Sequence, residues 1–430
     1  MSPIPHKVII VGGGFGGLYA AQNLKKAPVE ITLIDKRNFH LFQPLLYQVA
    51  TGALSPANIS TPLRAVLKKQ RNCRVLLGEV TGFDIVNKQV LMGSEKIPFD
   101  SLIVAAGAGN FYFGHPEWEA HAPGLKTIEE ATDIRARVLN AFERAERAAD
   151  PAVKKRLLTF VIVGGGPTGV EMAGAISELA RHTLRNEFRT IDPATTRIIL
   201  VEGHSRVLPP FPESLSAKAL RCLNKMGVEV ITSAHVKDIQ ADHVMVECAG
   251  TANRIDTATV VWGAGVRASS LGKQLADATG TTIDKGGRVV VGKDMSIANY
   301  PNIFVVGDLA AGIFPDGKPL PGVAPVAMQQ GKYVANLIRG RVEGRTPPGP
   351  FCYWDKGSMA TIGRNAAVVD LYFIRFSGWF AWMIWLLIHV TFLIQFQNRL
   401  LVLFQWFWNY LSRNRAARLI TGEEAKKCDG

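Results

Sequence analysis

Gly12, Gly14 and Gly17 stand in the order G-x-G-x-x-G directly after the apolar run "KVIIV", and a helical pattern follows them. Glycines so placed serve a tight turn, a close backbone approach to a pyrophosphate, and close packing of helix on strand. The start of the helix adds an attraction for phosphate charge. The next apolar run, "EITLID", ends in Asp35, which can accept hydrogen bonds from ribose hydroxyls. The same parts recur: Gly164, Gly166 and Gly169 follow "TFVIV", and Glu202 ends the run "RIILVE". An acid there repels a 2′-phosphate and favours NADH over NADPH, although His204 and Arg206 nearby weaken that preference. One such loop can be no more than a tight βα turn. Two in one chain, each with its strand, helix and acid, imply two dinucleotides, most economically FAD and NAD(P)H. "VVGD", Val305 to Asp308, supports the flavin, because an aspartate between strand and helix can bind a ribityl chain.

The elements that must position these loops are two copies of one βαβ unit. Between the copies lie "KQVLMGSEKIPFDSLIVAAGAGN" and a charged helix, Ile128 to Ala149. After the second come "TATVVWGAGVRAS", "NIFVVGDLAAG" and "LPGVAPVAMQQGKYVANLI". The linker "GRTPPGPF", rich in Pro and Gly, precedes "CYWDKGSMATIGRNAAVV" and then an apolar tail. The expected fold class is α/β, with two Rossmann-like dinucleotide-binding domains, one for FAD and one for NADH, plus a C-terminal amphipathic helical membrane anchor. The expected domains are 1–120 with 290–365 for FAD, 121–289 for NADH, and 366–430 for the anchor.

The totals narrow the class. A 430-residue chain supports two or three cores, and 20% charged residues are too many for a multi-span transporter. The 49 Lys and Arg against 36 Asp and Glu give +13, which suits anionic cofactors or an anionic membrane surface. No basic run with interleaved aromatics is present, so nucleic acid is not an expected partner. Cys73, Cys222, Cys248, Cys352 and Cys428 are scattered without metal-ligand spacing, and reduced thiols in a cytoplasmic setting are expected. The N-terminus enters an apolar strand within a few residues, which leaves no room for a signal peptide.

Flavoprotein disulfide reductases need a redox-active cysteine pair soon after the first βαβ unit. Here that region reads "NFHLFQPLLYQVATG" and holds no cysteine, which excludes thiol relay chemistry. Sulfide:quinone reductases also need paired cysteines; only Cys352 lies late enough in the chain, without an obvious partner. "LIDKRNFHLFQPLLYQVATGALSP", "VIVGGGPTGVEMAGAISELA", "PNIFVVGDLA" and "DKGSMATIG" resemble the type II NADH dehydrogenases, single-subunit NADH:quinone oxidoreductases that do not pump protons. The resemblance runs from about Lys7 into the tail.

The resemblance implies tightly bound FAD at Gly12, Gly14, Gly17, Asp35, Ala106 and Asp308, and NADH at Gly164, Gly166, Gly169 and Glu202. It implies hydride transfer from NADH to the flavin, then two-electron reduction of a membrane quinone, ubiquinone or menaquinone. It further implies a homodimer, peripheral on the cytoplasmic face of a bacterial membrane. Glu171 matches the family's "GVE" acid near nicotinamide and flavin; it also reads as a first-turn glutamate favoured by the helix dipole. The family's AQ-x-x-x-Q quinone motif is represented by "APVAMQQG", with Pro325 in place of the first glutamine. Met328, Gln329 and Gln330 complete the expected quinone site, with Gln329 as its catalytic amide. A polar helix start with solvated glutamines is the other reading. Lys356 in "DKG" is either a cation beside the reduced flavin or an exposed loop lysine. A different class, a flavin-binding redox sensor or scaffold of the apoptosis-inducing-factor type, shares the loops but has no need of a quinone entry.

The tail segment "WFAWMIWLLIHVTFLI", from Trp379, only approaches the roughly 20 residues that cross a bilayer. Arg399 interrupts it before "LLVLFQWFWNYL". Trp379, Trp382, Trp385, Trp406 and Trp408 suit the headgroup boundary, and Arg413, Arg415 and Arg418 suit anionic headgroups. Two helices lying in the interfacial plane are expected, with a single span or a buried core helix as alternatives. Cutting after Arg375 is expected to abolish membrane association while FAD binding and NADH oxidation survive.

Overall fold

The computed structural model describes residues 5–314 and 317–421. The described residues form two compact units, one drawn from 1–41, 60–109 and 266–355, the other from 42–59, 110–265 and 356–430. Each contains one glycine loop. The mixed α/β architecture with two dinucleotide-binding sheets is the fold the sequence predicts.

The first unit is built on a six-stranded sheet in the order Ser296–Ile297, Tyr300–Val305, Ser101–Val104, His6–Val11, Val29–Asp35, Cys73–Leu77. All but Ser296–Ile297 run parallel. The central strands are near-continuous runs of Val, Ile and Leu because both faces are covered. Register then sets the site: Val11 pairs with Ile34 and Val104, and Val305 with Val104. The loops carrying Gly12, Asp35, Ala106 and Asp308 therefore leave the same carboxyl edge of the sheet, where open α/β sheets bind ligands. Helix Phe15–Asn23 lies against helix Ala324–Val342. A Cβ on Gly331 would fall 2.2 Å from the Gly16 carbonyl oxygen, so only glycine permits this approach.

The second unit repeats the plan with four parallel strands, Val228–Ile231, Arg197–Val201, Thr159–Val163 and Thr259–Trp262. Helix Ile128–Arg147 opens with a capping box between Thr127 and Glu130. Helix Pro167–Glu178 follows the glycine loop and continues into a wider turn, Leu179–Thr183. It packs on strand Ser358–Gly363 of an antiparallel three-stranded sheet, and a Cβ on Gly174 would meet the Ile362 carbonyl oxygen at 1.6 Å. The tail forms helices Trp379–Phe392 and Phe396–Ser412 in this same unit. Among the described residues, no helix is long and apolar enough to cross a membrane.

Candidate active site

In the first unit, Gly12 has φ +104° with its Cβ position against the Ala105 carbonyl oxygen, and a Cβ on Gly17 would lie 1.9 Å from the Gly12 oxygen. At Gly14 a Cβ would meet nothing within 4 Å. The loop is thus tight where it turns and open where a phosphate would approach. Asp35 is fastened rather than idle: Oδ2 accepts the Gly13 N–H at 2.5 Å and Oδ1 the Arg37 N–H at 2.7 Å. His40 is buried, and its Nδ1 lies 3.0 Å from the Gly13 carbonyl oxygen. A carbonyl only accepts, so Nδ1 carries the hydrogen and Nε2 is a bare acceptor; among the described residues Nε2 has no partner. Burial drives the His40 pKa down to about 4, against the Gly13 contact, which keeps the ring neutral. An open Gly14 and an orphaned buried acceptor beside the same loop fit a bound dinucleotide.

The second loop has the same construction. Gly164 has φ +104°, and a Cβ on Gly169 would lie 1.8 Å from the Gly164 oxygen. Gly166, like Gly14, faces open space. Glu202 is buried, with Oε2 accepting the Gly165 N–H at 2.5 Å and Oε1 the His204 N–H at 2.7 Å. His204 Nδ1 also reaches Glu202 Oε1 at 2.5 Å, while Arg206 donates to the Pro209 carbonyl at 2.9 Å.

The helix that begins at the second loop carries Glu171 into a cavity of about 460 Å³ inside the second unit. Tyr47, Gln48, Thr361, Trp382, Trp385 and Trp406 are among its walls. Burial raises the Glu171 pKa to about 8, opposed by a hydrogen bond from the Thr361 backbone N–H. Glu171 is half-buried there, and a pKa of about 8 leaves it largely a carboxylic acid at neutral pH. Tyr47 is buried too, and its pKa is pushed far above the phenol range, first by burial and then by the Glu171 charge. Gln48 Nε2 donates to Tyr47 Oη at 2.9 Å, and Trp406 Nε1 donates to Gln48 Oε1 at 2.7 Å.

The remaining candidates are not among the residues that line this cavity. Gln330, in the first unit, is buried, and its Oε1 accepts the Gly307 N–H at 2.7 Å, which fastens the "VVGD" loop. Gln329 holds the Trp354 backbone at both ends, its Nε2 donating to the carbonyl and its Oε1 accepting the N–H, each at 3.0 Å. Pro325 occupies the first turn of helix Ala324–Val342 and is exposed, and Met328 is half-buried. Asp308 is half-buried in the 3-10 turn Gly307–Leu309. Lys356, in the second unit, is exposed and does not line the Glu171 cavity.

The tail differs from the sequence reading in two respects. Trp385 is 2% exposed and stacks on His389 with ring centroids 4.1 Å apart. Trp382 stacks on Tyr410 at 5.6 Å. Trp382, Trp385 and Tyr410, with Trp406, build the cavity wall, and only Trp379 and Trp408 of the five tail tryptophans are strongly exposed. Arg415 is buried, donating to Glu178 Oε2 at 3.0 Å and to the Thr51 and Ala175 carbonyls, and Arg418 pairs with Glu187 at 2.5 Å. Those two arginines close the tail onto the unit instead of facing headgroups. Cys73, Cys222, Cys248 and Cys352 are free thiols, and Cys428 lies outside the described residues.

Tyr47, Gln48 and Arg415 line this cavity, a placement that sequence reasoning did not foresee. Tyr47 and Gln48 were within the most specific motif, "HLFQPLLYQVATG", but nothing local in it says which residues turn toward Glu171.

Comparison with known proteins accords with this geometry. Residues 6–331 match the pyridine nucleotide-disulphide oxidoreductase family, and residues 355–414 match the NDH2 C-terminal domain. The chain is 48% identical to the type II NADH:quinone oxidoreductase Ndh of Mycobacterium tuberculosis, over 98% of this chain and 92% of that protein. It is 32% identical to the type II NADH:quinone oxidoreductase of Staphylococcus aureus, over 84% and 89%. The solved structure of NDH2 from Plasmodium falciparum in complex with NADH has the same fold, with TM-score 0.87 at 20% identity over 97% of this chain and all of that one. With a family model over most of the chain, a matching C-terminal domain and a relative 48% identical over nearly its whole length, the chain belongs to the type II NADH:quinone oxidoreductases.

Proposed function

We propose that this chain oxidises NADH and reduces a membrane quinone by two electrons, without proton pumping, through a tightly bound FAD. The observation that carries the reading is the placement of Glu171. It stands on the helix that starts at the second dinucleotide loop, and it opens into a cavity whose other wall is the apolar tail. One helix thereby relates nucleotide binding to an acceptor that arrives from lipid.

FAD, when bound, supplies the hydride acceptor and the two-electron donor of the reaction. Gly12, Gly14, Gly17, Asp35, Ala106 and Asp308 would hold it, with His40 Nε2 free to accept a hydrogen bond from it. Gly164, Gly166, Gly169 and Glu202 would hold NADH. Glu202 would set a carboxylate near the adenosine ribose of the nucleotide, which would disfavour the 2′-phosphate of NADPH. Glu171 would hold the proton delivered to a quinone oxygen, and its raised pKa keeps that proton available at neutral pH. Gln329 and Gln330 would act from the first unit by fixing Trp354 and the Gly307 turn beside Asp308. Lys356 would provide a positive charge toward the reduced flavin.

The bilayer is the proposed partner of the tail. Phe396, Phe404, Phe407, Trp408 and Leu411 are exposed along the second helix, and Trp379, Phe380 and Leu387 along the first. Tyr372, Phe373 and Ile374 add an exposed apolar tip between strands Ala366–Asp370 and Arg375–Gly378. A face this apolar marks a lipid or protein contact, and from Leu371 to Thr421 the chain has arginines but no acid. Self-association into a homodimer and residence on the cytoplasmic face of a bacterial membrane belong to the same reading. The deciding experiment is a steady-state assay of the purified full-length protein with NADH or NADPH, with and without a long-tailed quinone, with flavin absorbance recorded. NADH-dependent quinol formation is expected; a protein without flavin would overturn the reading.

A further inference from the structure

The indole N–H of Trp406 can only donate, so the amide atom of Gln48 facing it at 2.7 Å is the oxygen. That fixes the Gln48 amide the other way round at its far end, where the NH₂ group points to Tyr47 Oη at 2.9 Å. The phenol oxygen is therefore an acceptor in this contact, and its own hydrogen must point elsewhere. Among the described residues Tyr47 Oη donates to nothing, although the residue is 8% exposed and lines the Glu171 cavity. A buried hydroxyl is ordinarily satisfied. One whose hydrogen is turned away by a fixed amide, in a cavity shared with a protonated acid, is poised for a ligand acceptor.

We propose that Tyr47 donates a hydrogen bond to a carbonyl oxygen of the quinone, and that Gln48 and Trp406 are positioning residues that aim it. This rests on the quinone reductase reading above. The overall change is NADH + H⁺ + quinone → NAD⁺ + quinol. Tyr47 retains its proton throughout: it polarises one carbonyl as negative charge develops there, while the proton taken up comes by way of Glu171. Burial and the neighbouring carboxyl keep the phenol un-ionised at working pH. Because Trp406 belongs to the second tail helix, the tail then serves the reaction centre directly in addition to its part at the membrane.

The test is a double-mutant cycle on the full-length protein in vesicles, with Tyr47→Phe, Trp406→Phe and the pair. Bound flavin per chain checks folding. With a long-tailed quinone, Tyr47→Phe is expected to lower kcat on the order of 100-fold, as removal of one oxyanion donor does. Trp406→Phe preserves ring packing and is expected to lower kcat roughly tenfold with a smaller change in KM, because a misaimed donor costs rate before binding. In the Tyr47→Phe background, Trp406→Phe should cost nothing further. Gln48→Glu, which keeps an acceptor for Trp406 but removes the donor to Tyr47, should match Trp406→Phe. Full quinone activity in flavin-replete Tyr47→Phe overturns the proposal, and additive losses in the double variant overturn the positioning role. A parent protein that reduces its flavin with NADH but never forms quinol defeats the underlying reading instead.

Discussion

Arg415, in the tail, lies 3.0 Å from Glu178, the last residue of the helix that begins at the second glycine loop. Its guanidinium also satisfies the carbonyls of Thr51 and Ala175, and the Glu178 carboxylate accepts the Arg364 backbone N–H as well. The pair thus joins four segments far apart in sequence. Removing one partner of a buried pair leaves the other charge uncompensated. Arg415→Met is expected to destabilise the protein by about 3 kcal/mol, read as a lower denaturation midpoint. Unchanged stability would show the pair to be solvent-screened.

Glu171 gives a pH signature. Its pKa is about 8 in the folded protein against an ordinary value of 4.5. The folded state therefore retains a proton that the unfolded chain loses between those values, and stability falls as pH rises from about 4.5 to about 8. Glu171→Gln should remove that decline, seen by comparing melting curves of the two proteins across the window. In the parent, kcat with quinone should fall as pH passes about 8. Glu171→Gln should lower it roughly 100-fold or more and flatten the profile.

Two glycines of the first loop separate fold from ligand. Gly17→Ala forces a Cβ to 1.9 Å from the Gly12 oxygen and should yield protein without flavin. Gly14→Ala meets nothing within 4 Å and should fold normally. A drop in its flavin content, measured by absorbance ratio, then reports the pyrophosphate approaching that position.

Membrane release is better tested at the surface than by truncation. Cutting after Arg375 removes Trp382, Trp385, Trp406 and Arg415, hence a cavity wall and a buried ion pair, so loss of fold would be confused with loss of anchoring. The combined change Phe373→Ser, Phe404→Ser and Trp408→Ser alters only exposed rings. If each inserted ring contributes about 1.5–3 kcal/mol, vesicle partition should fall by more than 100-fold with the melting temperature preserved. Full retention on vesicles would assign that face to another partner.

The local features were legible because their causes are local. A glycine needed for φ +104° at Gly12 and Gly164, an acid ending the next strand, and an apolar run buried on both faces act over a few residues. They sufficed for the α/β class, both dinucleotide loops and, with the family motifs, the activity. The backbone contacts of Gln329 and Gln330 were less legible, since nothing local to a helix start says that its amides fasten the Trp354 and Gly307 backbones.

The cavity was decided only by tertiary structure. Its walls come from residues 47–53, 171–183, 222–226, 361–366 and 382–415, and no periodicity in any one segment encodes their meeting. The tail shows this most plainly. Length and hydropathy placed it at an apolar boundary, but a tryptophan has one polar hydrogen and a large apolar ring, so it suits a headgroup layer and a buried amide equally well. Which of these Trp406 meets depends on Gln48, a residue more than three hundred positions earlier, and on the folded chain that brings the two within 2.7 Å.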